Sequence, residues 1–95
     1  MPAYVIVDIE VSDPDKFAAY REAAPAAVEA GGGKYIARGG EIAVLEGDWN
    51  PSRVTVVEFP DVETAQRFYD SEQYRAARAL REGAAQFKMI VVAGA

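Results

Sequence analysis

The sequence predicts an α+β fold: an antiparallel sheet with two helices on one face, in the order β-α-β-(β)-β-α-β. Two features predict it. Short runs rich in Val, Ile and Tyr alternate with longer stretches whose apolar residues recur at helical spacing. The junctions carry cap residues where helices should begin and glycines where they should stop. The 95 residues form one domain, residues 1–95, long enough to bury a core without disulfide or metal staples.

Tyr4 to Val11 is the first strand. Its odd positions, Val5, Val7, Ile9 and Val11, are all apolar, while its even positions start with Tyr4 and Ile6 and turn acidic at Asp8 and Glu10. Asp13 and Pro14 then supply an N-cap and a first helical residue. Phe17, Tyr20, Ala24, Ala27 and Val28 form one apolar stripe along that helix, with Pro25 as a candidate kink. Gly31-Gly32-Gly33 stops it. Lys34 to Arg38 is a short strand, Gly39-Gly40 a tight turn, and Glu41 to Glu46 an extra short hairpin strand folded back on it. A turn containing Asn50-Pro51 leads to the strand Arg53 to Phe59. Asp61 caps the second helix, whose inner face carries Val62, Ala65, Phe68 and Tyr69. Asp70-Ser71 breaks it, and Ser71 caps a continuation with Tyr74, Ala77 and Leu80. Phe87 to Ala93 is the last strand. This is the split βαβ arrangement of a ferredoxin-like sheet, βαββαβ with one added hairpin strand.

Composition excludes several chemistries. There is no cysteine and no histidine, which removes thiolate nucleophiles, imidazole ligands and histidine acid–base work. No acidic cluster or EF-hand pattern suggests a metal, and no cofactor is expected. A net charge of −5 opposes phosphate binding, so nucleic acid is not an expected partner. No apolar run approaches the ~20 residues of a membrane span. The start of the chain lacks a signal-peptide pattern, so the expectation is a cytoplasmic protein.

Two helices cover only one face of the sheet, yet the other face also reads apolar. The last strand is apolar at both parities, and Tyr4, Ile6, Val54 and Val56 fall on the uncovered side. Monomers rarely tolerate an apolar patch above ~300–600 Å². A second copy related by a two-fold axis is the simplest cover, giving a homodimer with a shared, barrel-like interior.

Asp8, Glu10 and Glu58 are the strand carboxylates able to act as a general base or to serve as paired structural charges. Placing Tyr4 opposite Val92 puts Asp8 opposite Lys88, a favourable cross-strand pair. Arg38 and Glu46 sit where an ion pair could clamp the hairpin, and Arg38 could equally meet a ligand. Tyr4, Tyr35, Tyr69, Tyr74 and Trp49 could line an aromatic pocket or anchor core and interface. Trp49, in a turn, is the aromatic most suited to reach a partner. Arg75, Arg78 and Arg81 read as a salt-bridged helix face with Glu72 and Glu82. Gly31-Gly32-Gly33-Lys34 lacks the context of a phosphate loop.

The segments Y-V-I-V-D-I, D-P-D-K-F-A-A-Y, G-G-K-Y-I-A-R-G-G, V-L-E-G-D-W, V-E-F-P and S-E-Q-Y-R together resemble the bacterial family described as domain of unknown function 1330. That family sits among the dimeric α+β-barrel proteins of ferredoxin-like fold. The resemblance implies a homodimer with a pocket on the inner sheet face, and no established reaction. Cofactor-free monooxygenases, lactone isomerases and haem-degrading enzymes belong to the wider group; without histidine, the haem-degrading branch does not carry over. The expected ligand is a small, partly aromatic or carboxylate-bearing molecule held by Tyr4, Ile6, Asp8, Arg38, Val56 and Glu58. Asp8 or Glu58 would be the base and Arg38 the oxyanion partner if turnover occurs. A non-catalytic stress-related or regulatory module is the rival class.

Overall fold

Alternation organises the first strand, β1 (Ala3–Val11), into a buried odd face and a half-buried even face. The computed structural model describes Met1 to Ala95. Asp13 caps helix α1 (Pro14–Ala30), accepting a hydrogen bond from the Lys16 amide at 3.2 Å. The predicted stripe Phe17, Tyr20, Ala24, Ala27 and Val28 is the buried face, and the helix continues past Pro25. Its end is the expected glycine stop. Gly32 takes φ +89°, and the Gly33 amide reaches back to the Val28 carbonyl at 2.8 Å, which satisfies a terminal acceptor.

β2 (Lys34–Arg38) and β3 (Val54–Phe59) follow. Asp61 then caps α2 (Val62–Asp70), accepting from the Thr64 amide at 2.7 Å. Ser71 ends α2 and starts α3 (Glu72–Ala79) at once: its hydroxyl donates to the Phe68 carbonyl and accepts from the Tyr74 amide. β4 (Ala85–Ala93) completes the antiparallel sheet in the order β2-β3-β1-β4.

Which residues must be buried fixes the face each strand presents to the helices. Tyr4 lies opposite Val92 and Asp8 opposite Lys88, as expected. Val5, Val7, Ile9, Val57 and Phe59 face the helices and are buried with Phe17, Phe68 and Tyr74. Ile90 and Val92 are 61% and 45% exposed on the far side.

Glu41 to Glu46 is not a strand. The segment from Gly40 to Arg53 has no regular structure: β2 pairs only with β3, and the segment leaves the outer edge of β2 open. It projects as an arm, with Leu45 at 96% exposure. Gly39 turns the chain outward at φ +67°. A side chain there would be strained and would meet the Arg53 guanidinium at 3.3 Å.

Candidate functional site

A cavity of ≈ 40 Å³ lies between the helices and the sheet. Val5, Val7 and Ile9 of β1, Thr55 and Val57 of β3, and Phe87 and Met89 of β4 form its floor. Phe17, Tyr20 and Tyr74 close it from above. Arg21, Arg38 and Arg53 stand around it, and no Asp or Glu is among its lining residues. At roughly one probe sphere of 10–15 Å³ per water, the space holds about three waters.

Arg38 reaches this cavity through an irregularity in β2. Tyr35 pairs with Val57, but the next regular pair is Ala37 with Val56, so Ile36 is left over. The extra residue resets the alternation, as a bulge does. Tyr35 and Arg38, opposite the buried Val57 and Thr55, therefore share the helix-facing side. The Arg38 guanidinium lies 4.7 Å from the Tyr35 ring centroid and donates to the Arg21 carbonyl at 3.2 Å. Arg53 lies over Phe17 at 5.7 Å.

Two tyrosines supply the cavity's deepest polar groups. The hydroxyls of Tyr20 and Tyr74 share a buried hydrogen bond of 2.7 Å. Burial holds the Tyr20 phenol well above its ordinary range, the neighbouring Tyr74 hydroxyl adds to this, and Arg81 opposes it. Tyr35 is also raised by burial, with Arg38 acting against the shift. Both are therefore neutral donors at ordinary pH. Sequence reasoning placed Tyr20 only in an apolar stripe and missed Arg21, Arg53 and Thr55. The usable signal was a tyrosine at a buried position of α1 and another of α3, since a buried phenol needs a polar partner.

The remaining sequence candidates lie on the opposite face. Tyr4, Ile6 and Asp8 occupy the half-buried even positions of β1, and Val56 and Glu58 those of β3. Tyr4 pairs with Glu58 and Ile6 with Val56, so these five form one patch, separated from Arg38 by the thickness of the sheet. Asp8 makes no ion pair with Lys88. It accepts instead from the Trp49 indole N–H at 3.0 Å, which draws the arm over the uncovered face.

Two expected ion pairs give way to other contacts. Arg67–Glu63 at 3.2 Å is the chain's one salt bridge, so Arg38 and Glu46 form no clamp; the bulge sends Arg38 to the other face. Arg78 stacks on Tyr69 at 4.1 Å and Arg81 on Phe87 at 3.6 Å. Aromatic faces compete for these guanidiniums better than the solvated Glu72 and Glu82 do. Nowhere do three His, Cys, Asp or Glu side chains gather as a metal site would require. No helix is long and apolar enough to cross a membrane.

Solved structures share this architecture. A protein of unknown function from Rhodopseudomonas palustris, RPA0582, is 22% identical with a TM-score of 0.72, over 99% of this chain and 82% of that one. A dimeric ferredoxin-like protein of unknown function from Thermobifida fusca YX is 19% identical with a TM-score of 0.69, over 99% and 92%. SnoaB, a cofactor-independent oxygenase from Streptomyces nogalater, is 12% identical with a TM-score of 0.70, over 99% and 93%. At these identities the likeness is one of fold, and the fold is ferredoxin-like α+β. Comparison with curated proteins gives no match. The sequence model of one family spans residues 2–95, and the chain belongs to that family, the domain of unknown function DUF1330.

Proposed function

We propose that the protein is a homodimer that binds a small organic anion, a carboxylate or phenolate with an apolar body, in the helix–sheet cavity. One observation carries the reading: Arg21, Arg38 and Arg53 surround a largely apolar cavity whose lining contains no carboxylate, in a chain of net charge −5. A guanidinium without an acidic partner at the mouth of an apolar cavity favours an incoming anion, and its planar fork suits a carboxylate. Arg38 is exposed and tethered by a single hydrogen bond to a carbonyl. It can exchange that bond for one to a ligand and widen the space as it swings. Phe17 and Phe87 offer aromatic surface to the ligand's apolar part.

Binding is favoured over turnover. Proton abstraction would need a base beside Arg38, whereas Asp8 and Glu58 stand on the other face of the sheet. The patch of Tyr4, Ile6, Asp8, Val56 and Glu58 is better suited to the dimer's interior wall. The dimeric Thermobifida neighbour supports that assignment.

Thermal-shift measurements with benzoate, salicylate and phenol test the site. A ligand at a hundred times its Kd adds about 2.7 kcal/mol of stability. The expected result is a shift that grows with ligand concentration and vanishes in Arg38→Ala. A flat response of the wild-type protein to all three would overturn the reading.

A further inference from the structure

The uncovered face has two apolar parts that one chain cannot bring together. At the β2 side, the arm presents Ile42, Val44, Leu45 and Trp49, at 37%, 47%, 96% and 60% exposure. With Ala37 and Val54 they surround an open hollow of ≈ 560 Å³. At the β4 side stand Ile90 and Val92, at 61% and 45%. Since β2 and β4 are the outer strands of the sheet, three strand spacings, roughly 14 Å, separate them.

Charge is divided in the same way. The stretch from Gly39 to Ser52 carries Glu41, Glu46 and Asp48 and no basic residue. The outward face of β4 consists of Gln86, Lys88, Ile90 and Val92. Lys88 is its only charge, and no carboxylate pairs with it, because its cross-strand neighbour Asp8 is engaged by Trp49.

We infer that the arm of each subunit docks on the outward face of β4 of a second copy, with Ile90 and Val92 entering the partner's hollow and Lys88 meeting the arm's carboxylates. The inference rests on the homodimer proposed above and specifies its geometry. A two-fold axis running along the strands sets the β2 side of one sheet over the β4 side of the other, and both contacts form twice. An axis across the strands would instead set arm against arm. Each arm would then bring its acidic residues against those of its twin, and Ile90 and Val92 would meet only their own counterparts. Like-charge juxtaposition disfavours that arrangement, while the first pairs opposite charges and buries every exposed apolar side chain named above. The docked arm also gains a reason to have strand-like composition without a strand in its own subunit: its surroundings are supplied by the partner.

The chain has no cysteine, so introduced thiols are unambiguous. In Leu45→Cys/Ile90→Cys, mild oxidation should give a covalent dimer on a non-reducing gel, with tryptic peptides joining positions 45 and 90. Leu45→Cys alone should cross-link poorly. As an independent readout, Lys88→Glu should raise the dimer Kd in sedimentation by about tenfold at low salt, less at high salt. Adding Glu41→Lys and Glu46→Lys to that variant should recover affinity. A native dimer that cross-links efficiently through Leu45→Cys alone, or is indifferent to Lys88→Glu, overturns arm docking and leaves the homodimer standing. A native chain that sediments as a monomer at micromolar concentration overturns both.

Discussion

Replacing Tyr74 by Phe removes one oxygen and leaves the packing of the ring intact. Its consequence lies in the other tyrosine. Tyr74 is 1% exposed and Tyr20 8%, and their hydroxyls are each other's hydrogen-bond partners at 2.7 Å. In Tyr74→Phe the Tyr20 hydroxyl is stranded. A buried donor left without a partner costs about 1–3 kcal/mol. Both tyrosines line the ≈ 40 Å³ cavity, and a water there can take over the lost bond, which draws the cost toward about 1 kcal/mol. Tyr20→Phe should behave alike. In the double variant neither hydroxyl remains to be stranded, so its cost should fall well below the sum of the singles, with a coupling of about 1 kcal/mol. For a domain of this size that coupling corresponds to about 4–8 °C in Tm. Urea unfolding of all four proteins measures it. Strict additivity, or a double variant worse than the sum, would refute the view that the pair matters as a matched donor and acceptor.

Alkaline pH should destabilise the fold through the same residue. The Tyr20 phenol stays protonated when folded but ionises near pH ~10 when unfolded. Its contribution is thus whole below about pH 10 and is lost as pH rises beyond it, by up to about 1.4 kcal/mol per pH unit. Tyr20→Phe should flatten that slope in urea titrations between about pH 9 and 11. Gly33→Ala should cost about 1–3 kcal/mol by overpacking, since its Cβ would stand 2.7 Å from Phe59 Cζ and 2.9 Å from Val28 Cγ1. Gly40→Ala, with nothing within 4 Å, is the matched control and should be near neutral; equal losses in both would discount the steric argument.

What could be read from the sequence depended on how local the cause was. The β1 alternation, the α1 stripe and the Asp13, Asp61 and Ser71 caps each follow from a few neighbouring residues, and each was legible. The helix-facing parity of β1 and β4 was also legible, since Val5, Val7, Met89 and Val91 had to share one side. The pairing of Asp8 with Lys88 was a supposition that burial alone does not fix, and the structure matches it. The arm was misread for the opposite reason: Ile42, Val44 and Leu45 have strand composition, but the segment does not pair with the open edge of β2, and composition alone does not report pairing. Arg38 shows the sharpest limit. Strict alternation from Tyr35 assigns it to the uncovered face, and one extra residue at Ile36 moves it to the cavity. No residue type in K-Y-I-A-R announces that bulge, so the cavity itself was hidden while most of its walls were visible.

Trp49 is the chain's single tryptophan, and its indole N–H is bonded to Asp8 while 60% of its surface meets solvent. The protein therefore carries its own optical reporter at the place where the arm crosses the open face. Emission of this indole depends on its solvation and on that one carboxylate, and on no other tryptophan. Closure of the face would shift the spectrum to the blue, and release of the arm would shift it to the red, in the unlabelled natural sequence.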